Sequence, residues 1–326
     1  MDAAIDSSMP DQPIERPIVI QTYDLSKTYR TGFWMRQKIA SLKQVSLTVY
    51  EGETFGLLGQ NGAGKTTLLK SLLSIVQPSS GRATLLGKGL GDRSVKQRIG
   101  YLPENPYFYD YLTGWEMLEF SAGLFQMPRS YVRKRIPELL ELVGLAQSSA
   151  KKKQLRQYSK GMLQRIGLAQ ALINDPDLVF LDEPMSGLDP LGRYQMRETI
   201  LSLKKQGKTI FFNSHVLSDV EMICDRVAIL AQGELIAIGS LQELLGTTEQ
   251  YRVVVQGGKS ELLQRRIPDV TFQDGFWVGH LMGEPQDFLA SLRLMNAQLI
   301  SMQLARPSLE EFFVQQLRGR GIHSSS

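Results

Sequence analysis

Apolar positions change their spacing several times along the chain, and each change marks an element. IVIQTYDLSKTY and SLKQVSLTVYEGETFGLLG alternate or cluster β-branched and apolar residues between glycine and polar breaks, which predicts a β-rich opening. Between them the basic stretch RTGFWMRQKIA, with Phe33, Trp34 and Met35, is expected to form a long hairpin loop whose aromatics pack locally. From Lys65 the spacing in TTLLKSLLSIV becomes helical, and that helix is expected to end near Pro78, before ATLLGKGL resumes a strand. Between Thr113 and Leu145, Pro128 separates two helical patterns, EMLEFSAGLF and RKRIPELLELVGL, and a third helix is expected after Ser159. LVFLDEP, KTIFFNSHV and RVAILAQGELIAIG then supply short, strongly apolar strands separated by helical segments. That layout predicts a parallel sheet covered on both faces.

The pattern shifts near Ser240. From Tyr251 the segments YRVVVQ, SELLQRRI, VTFQ, FWVGHL, PQDFLASLRLMN, QLISMQL and SLEEFFVQQL read strand, helix, strand, strand, helix, strand, helix. Gln273, Asp274 and Gly275 give the central pair a hairpin turn, so a small ferredoxin-like βαββαβ unit with one extra helix is expected. The opening MDAAIDSSMPDQPIERP holds acidic residues, three prolines and no apolar core, and reads as a flexible tail. The expected organisation is therefore a tail over 1–17, an α/β domain over 18–239 with a helical subdomain near 105–175, and an accessory α+β domain over 240–326.

Composition narrows the function classes. With 326 residues, 42% hydrophobic and 21% charged, the chain is neither disordered nor collagen-like. A net charge of +4 fits an anionic ligand or a membrane surface and is too small to suggest a nucleic-acid coat. The single cysteine, Cys224, can form no intrachain disulfide, and three scattered histidines make no metal-ligand spacing. No apolar run approaches the ~20 residues that span a bilayer, so the sequence reads as a reduced, cytoplasmic chain.

Two clusters carry chemistry. Gly59, Gln60, Asn61, Gly62, Ala63, Gly64, Lys65 and Thr66 fit G-x-x-x-x-G-K-[ST] between an apolar strand and a helix. The glycines let backbone N–H groups turn inward around a phosphate, Lys65 neutralises terminal phosphate charge, and the Thr66 hydroxyl can ligate Mg²⁺. Thr67, the next helical residue, joins the nucleotide-binding positions. LVFLDEP places Asp182 and Glu183 at the end of a buried strand, where two adjacent carboxylates are unfavourable unless a cation sits nearby. Asp182 is expected to hold Mg²⁺ and Glu183 to polarise the water that attacks the γ-phosphate. A glycine-rich turn without ligand and strand-end acids that merely cap a turn are the structural alternatives.

Over about Ile18 to Gly239 these residues, in this order, resemble the nucleotide-binding subunit of an ATP-binding cassette (ABC) transporter, a P-loop NTPase fold. The resemblance implies a mixed sheet core, an antiparallel β subdomain and a helical subdomain. Tyr29, in LSKTY, resembles the aromatic residue that stacks on adenine. YSKGMLQRIGLAQAL resembles the family signature, SGLD ending at Asp189 its D-loop, and His215 in NSHVLSD its switch histidine. Ser159 and Gly161 precede a helix, so a hydroxyl, N–H groups and a positive helix end can face a phosphate. In the family they face the γ-phosphate bound by the other subunit. One P-loop and one signature imply a second cassette, a copy of this chain or a paralogue, in an ATP-bound head-to-tail dimer. Asp189 would link the two sites and His215 would contact the γ-phosphate, although a lone histidine is more often structural.

Two positions depart from the family pattern. Glu104 stands where a glutamine is usual after IGYLP, and an ionised glutamate only accepts hydrogen bonds. It is read as a metal ligand or as a weaker switch. In the signature, Lys160 adds a cation that either approaches phosphate or points to water. The aromatic run PYFYDYLTGW beside Glu104 is either a groove for a short helix of a membrane subunit or a local aromatic core. RPSLEEFFVQQL resembles the closing segment of cassettes that pair with separate ABC-2-type membrane proteins, many of them exporters. The implied protein is an ATP-hydrolysing subunit at the cytoplasmic face of a membrane, working with ABC-2-type permease subunits, ATP and Mg²⁺, and not with nucleic acid. A soluble ABC-family ATPase acting on nucleic acid or ribosomes is the rival reading. Its coiled-coil forms need long insertions, and Lys65 and Ser159 lie too close in the chain for one. A P-loop kinase or GTPase leaves the signature and His215 unexplained.

Overall fold

In the computed structural model, residues 16–31, 37–246, 250–305 and 307–321 are described. The expected tail lies outside these apart from Arg16 and Pro17, as do Phe33, Trp34 and Met35. The first sheet grows around one long strand. β1 (Ile18–Thr31) pairs antiparallel with β2 (Gln37–Val45) and, near its start, with β3 (Thr48–Tyr50). Thr31 stands opposite Gln37 and Arg30 opposite Lys38, so the hairpin loop is shorter than the sequence suggests. Ladder pairing satisfies the backbone polar groups of that stretch, which a loop would leave to water.

β4 (Thr54–Leu58), buried throughout, leads through a glycine-rich loop into α1 (Lys65–Leu72). This helix stops well short of Pro78. Ser74 adopts a left-handed conformation (φ 58°), and the N–H groups of Ile75 and Val76 bond back to the carbonyl of Lys70. β5 (Ser80–Leu85) returns to pair with β1, followed by β6 (Lys88–Gly89) and α2 (Arg93–Lys96). After β7 (Ile99–Leu102) come α3 (Gly114–Leu124), α4 (Arg129–Leu142), α5 (Gln147–Lys152) and α6 (Lys160–Ala171). Thr113 caps α3 in a reciprocal box with Glu116, and Pro128 stands just before α4.

β8 (Leu178–Asp182), α7 (Pro190–Lys205), β9 (Thr209–Asn213), α8 (Leu217–Ile223) and β10 (Arg226–Ala231) follow. Gln232 and Gly233, both at positive φ, turn the chain into β11 (Glu234–Ser240). The second sheet runs β11-β10-β4-β9-β8-β7, with the five strands from β10 to β7 parallel to one another. Its central strands β4, β8 and β9 are fully buried, and the rings of Phe55 and Phe180 pack on Phe211 at 5.7 and 5.5 Å. Because these strands are parallel, the segments that follow β4, β8 and β9 emerge at one edge, where ligands bind in open α/β sheets.

The chain divides into two compact units, one ending at Ile238 and the other beginning at Gly239. The second holds α9 (Leu241–Leu245), β12 (Tyr251–Gly257), α10 (Ser260–Gln264) and β13 (Thr271–Gln273). β14 (Phe276–Leu281), α11 (Pro285–Leu294), β15 (Ala297–Leu304) and α12 (Leu309–Arg318) complete it. Its sheet runs β13-β14-β12-β15 with every neighbouring pair antiparallel, and Asp274 and Gly275 form the turn between β13 and β14. Val253, Val255, Leu281, Phe288 and Leu292 form its own buried core. Among the described residues no helix is long and apolar enough to cross a membrane.

Candidate functional site

The loop after β4 is shaped by glycine. Gly64 holds a φ of 107°, and a side chain there would run into the carbonyl oxygen of Ser41 on β2. The chain can therefore pass close to β2 and start α1 with N–H groups facing outward. A cleft of about 250 Å³ opens above this turn, lined by residues 60–67 together with Ser41, Glu104, Glu183, Asn213 and His215. Lys65 is buried, and its Nζ donates to the carbonyl oxygens of Gly59 (2.6 Å) and Gln60 (3.2 Å). The Thr67 hydroxyl lies 2.8 Å from that of Ser41.

Across the cleft, β8 ends in Asp182 and the chain turns sharply at Glu183, which is held at a φ of 50°. Such a conformation is unfavourable for glutamate and is held here by the Glu183 N–H donating to the carbonyl of Asn213 (2.9 Å). His215 Nδ1 lies 2.8 Å from Glu183 Oε2, with the imidazole half-exposed and the carboxylate nearly buried. Asn213 Nδ2 donates to Asp182 Oδ1 (2.5 Å), while the Asn213 Oδ1 is buried without a partner.

Burial pushes the Asp182 and Glu183 carboxyls above the ordinary carboxylate range, although hydrogen bonds from Asn213 and His215 pull the other way. Burial also lowers the Lys65 ammonium, against the pull of Glu183, Asp182 and Glu104. Three carboxylates are set against Lys65, whose charge burial disfavours, and Lys70, which also acts on Asp182, so the site is short of positive charge. Hard oxygen donors from Asp182 and Thr66 suit Mg²⁺, which takes one or two protein ligands and completes its shell with phosphate and water. Among the described residues no group of three or more His, Cys, Asp or Glu side chains is arranged to hold a metal.

Gln60, Asn61, Gly62, Ala63, Gly64, Lys65, Thr66, Thr67, Glu104, Glu183 and His215 thus share one cleft, with Gly59 and Asp182 beside it. Tyr29 lies elsewhere on β1, opposite Ile39, with Lys27 Nζ 5.1 Å above its ring. Ser159, Gly161 and Asp189 are also outside the cleft lining, at the starts of α6 and α7. The Ser159 hydroxyl accepts from the Met162 N–H (3.3 Å), and the Asp189 carboxylate accepts from the Gly192 N–H (2.8 Å). Lys160 lies along the SGLD loop: a side chain at Gly187 would collide with its ammonium end.

The sequence did not single out Ser41, Asn213 or Gln164. Asn213 had a readable signal, a polar residue closing an apolar strand in register with Asp182. Gln164 is buried on α6 and donates to the backbone carbonyl of Glu104 (2.8 Å), which ties the exposed Glu104 segment to the helix headed by Ser159. The aromatic run divides. Phe108 is buried, whereas Tyr107 is 94% exposed, and Tyr109 packs on Tyr111 and Phe120 at the surface.

Residues 42–186 match the family model described as ABC transporter. An ABC transporter ATP-binding protein of Nostoc sp. is 65% identical over 93% of this chain and 90% of its own length. The bacitracin transport ATP-binding protein BcrA of Bacillus licheniformis is 34% identical over 93% of this chain and 99% of its own. Among solved structures, the dimeric cassette MJ0796 bound to ADP and Pi superposes with a TM-score of 0.62 at 26% identity, covering 68% of this chain and 98% of that one. With the phosphate loop and strand-end acids gathered at one edge of such a sheet, the chain belongs to the ATP-binding subunits of ABC transporters, cassettes that bind and hydrolyse ATP.

Proposed function

We propose that the cleft is the hydrolytic half-site and that Glu183 is its general base. The observation that carries this reading is the 2.8 Å contact between Glu183 and His215 across from Lys65. Residues 59–67 cradle the phosphates, Lys65 turns from the Gly59 and Gln60 carbonyls to the terminal phosphate, and Tyr29 stacks on adenine. Burial that raises the Glu183 carboxyl also makes its carboxylate a stronger base toward water, and His215 orients it. Mg²⁺, held by Thr66 and Asp182 with Glu104 as a further ligand, would supply charge neutralisation at the phosphates. Glu183→Gln should retain ATP, slow hydrolysis by orders of magnitude and accumulate paired cassettes. Rapid turnover in that variant removes Glu183 from the role of base.

ABC ATPases act in pairs and with transmembrane permeases. For this chain the pairing is with a second copy or a paralogous cassette, Ser159 and Gly161 of each protomer covering the phosphates held by the other, with Asp189 at the join. The permease is of the ABC-2 type and the direction is export, a reading supported by 34% identity to BcrA and by 32% identity over 93% of this chain to the linearmycin resistance ATP-binding protein LnrL of Bacillus subtilis. The transport and resistance names of these relatives favour this reading over a role on nucleic acid or ribosomes. Residues 18–239 form the ATP-binding domain and 240–326 the accessory one, and the protein sits at the cytoplasmic face of the membrane. The exposed tyrosines 107, 109 and 111, beside Glu104, receive the membrane subunit, and Glu104 couples it to nucleotide.

A further inference from the structure

We propose that Lys160 is a positioning residue for hydrolysis: its aliphatic stem braces the SGLD loop against the head of α6, so that the helix start carrying Ser159 and the loop that hangs from Glu183 move as one edge. The inference rests on the reading that Ser159 and Asp189 meet a second protomer.

Lys160 is the first residue of α6, and that helix has no acidic residue in its first turn. A cation there opposes the helix dipole, so the charge does nothing for the helix that it heads. Among the described residues the ammonium makes neither a hydrogen bond nor an ion pair. The stem, by contrast, has a definite place. A methyl group at Gly187 would fall 2.8 Å from Lys160 Cε and 2.9 Å from its Cδ, closer than carbon atoms approach, so the methylenes lie directly across the Gly187 backbone. Lysine commonly lays its stem along a surface in this way and leaves its head to water.

The loop under that stem leads back to the proposed base. The Ser186 N–H donates to the Glu183 carbonyl (3.0 Å) and the Leu188 N–H to the Met185 carbonyl (3.3 Å), so residues 183–188 form two successive turns. Leu188 lies between the heads of two helices: a side chain at Gly161 would meet it at 3.6 Å, and one at Gly192 at 3.5 Å. Asp189 then closes the loop by capping α7. Gly187, held at a φ of 67°, is the only glycine between Glu183 and Asp189 and so the most pliable point of the loop. Lys160 covers that point, and a shift of the Ser159 helix on meeting phosphate is passed to the segment after Glu183.

The test uses the full-length chain in the Glu183→Gln background, where ATP and Mg²⁺ should hold paired cassettes and sedimentation velocity reads the concentration at which half are paired. Lys160→Ala preserves the helix and removes the stem, and it should raise that concentration roughly tenfold. Binding of a fluorescent ATP analogue by the unpaired chain should stay within about twofold, since the variant lies outside the cleft. Lys160→Met restores the stem without the charge and should return pairing to within about twofold of the parent. With Glu183 native, Lys160→Ala should lower kcat roughly tenfold, and Lys160→Met should rescue it. Pairing unaffected by Lys160→Ala overturns the proposal. So does a loss that is equal in Lys160→Met, because the charge and not the stem then acts, as a direct contact with phosphate would. A Glu183→Gln parent that never pairs with ATP removes the pairing reading itself and the proposal with it.

Discussion

Asp182 and Asn213 close adjacent strands in register, and one amide proton of the asparagine is most of what holds the buried carboxylate. Because burial raises the carboxyls of Asp182 and Glu183, the folded chain keeps protons that the unfolded chain releases near 3.8 and 4.5. Between those ordinary values and the raised folded ones, the unfolded state binds fewer protons, so stability falls as pH rises through that window. Below the ordinary values both states are protonated and the penalty disappears. The nucleotide-free Asp182→Asn, Glu183→Gln double variant should lose this slope. Denaturant midpoints from about pH 4 to about pH 8 would reveal it, and parallel curves for the two proteins would refute it. Lys65, Thr66 and Glu183 were legible because their signals are local, a glycine spacing and an acidic pair ending an apolar run. Ser41 was not, since only the pairing of β2 with β1 and the collision-free Gly64 bring it beside Thr67.

Between elements, one carboxylate joins two helices of the site. Asp219 on α8 is buried and lies 2.6 Å from Arg193 and 3.7 Å from Arg197, both on α7. α7 starts at its cap Asp189, and α8 follows the loop that carries His215, so the bridge fixes the two loops relative to each other. Asp219→Ala should cost about 1–3 kcal/mol in urea unfolding, at the lower end because the arginines keep partial access to water. Asp219→Asn retains a hydrogen-bond acceptor and should lose less; equal losses would mean that packing, not the bridge, sets the cost. Element ends were harder to read than element types. The run TTLLKSLLSIV is helical in composition throughout, yet α1 ends at Leu72 because Ser74 turns left-handed. The strands around residues 31 and 37 likewise run on into polar, basic sequence, since their partner across the hairpin, not their composition, satisfies the backbone.

At the scale of the whole molecule, the second unit has its own sheet and its own core around Val253, Val255 and Phe288. A chain ending at Ile238 should therefore still fold and bind a fluorescent ATP analogue within about twofold of the full-length affinity, because the cleft draws on residues 41 to 215 alone. An insoluble or nucleotide-blind truncation would mean that the second unit completes the first. The sequence pattern changes near residue 240, whereas the pairing of strands within the second unit depends on long-range register that no local signal carries. Ser159 shows what such a self-sufficient unit brings to an encounter. Ser159 lies in the first unit, where its oxygen already accepts from the Met162 amide, which places the side chain at the head of α6 while its hydroxyl proton can still rotate toward an acceptor. Under the proposed pairing, recognition at that helix needs little fresh ordering of the side chain, and a change that loosens the anchor should slow the meeting of two protomers before it weakens either one.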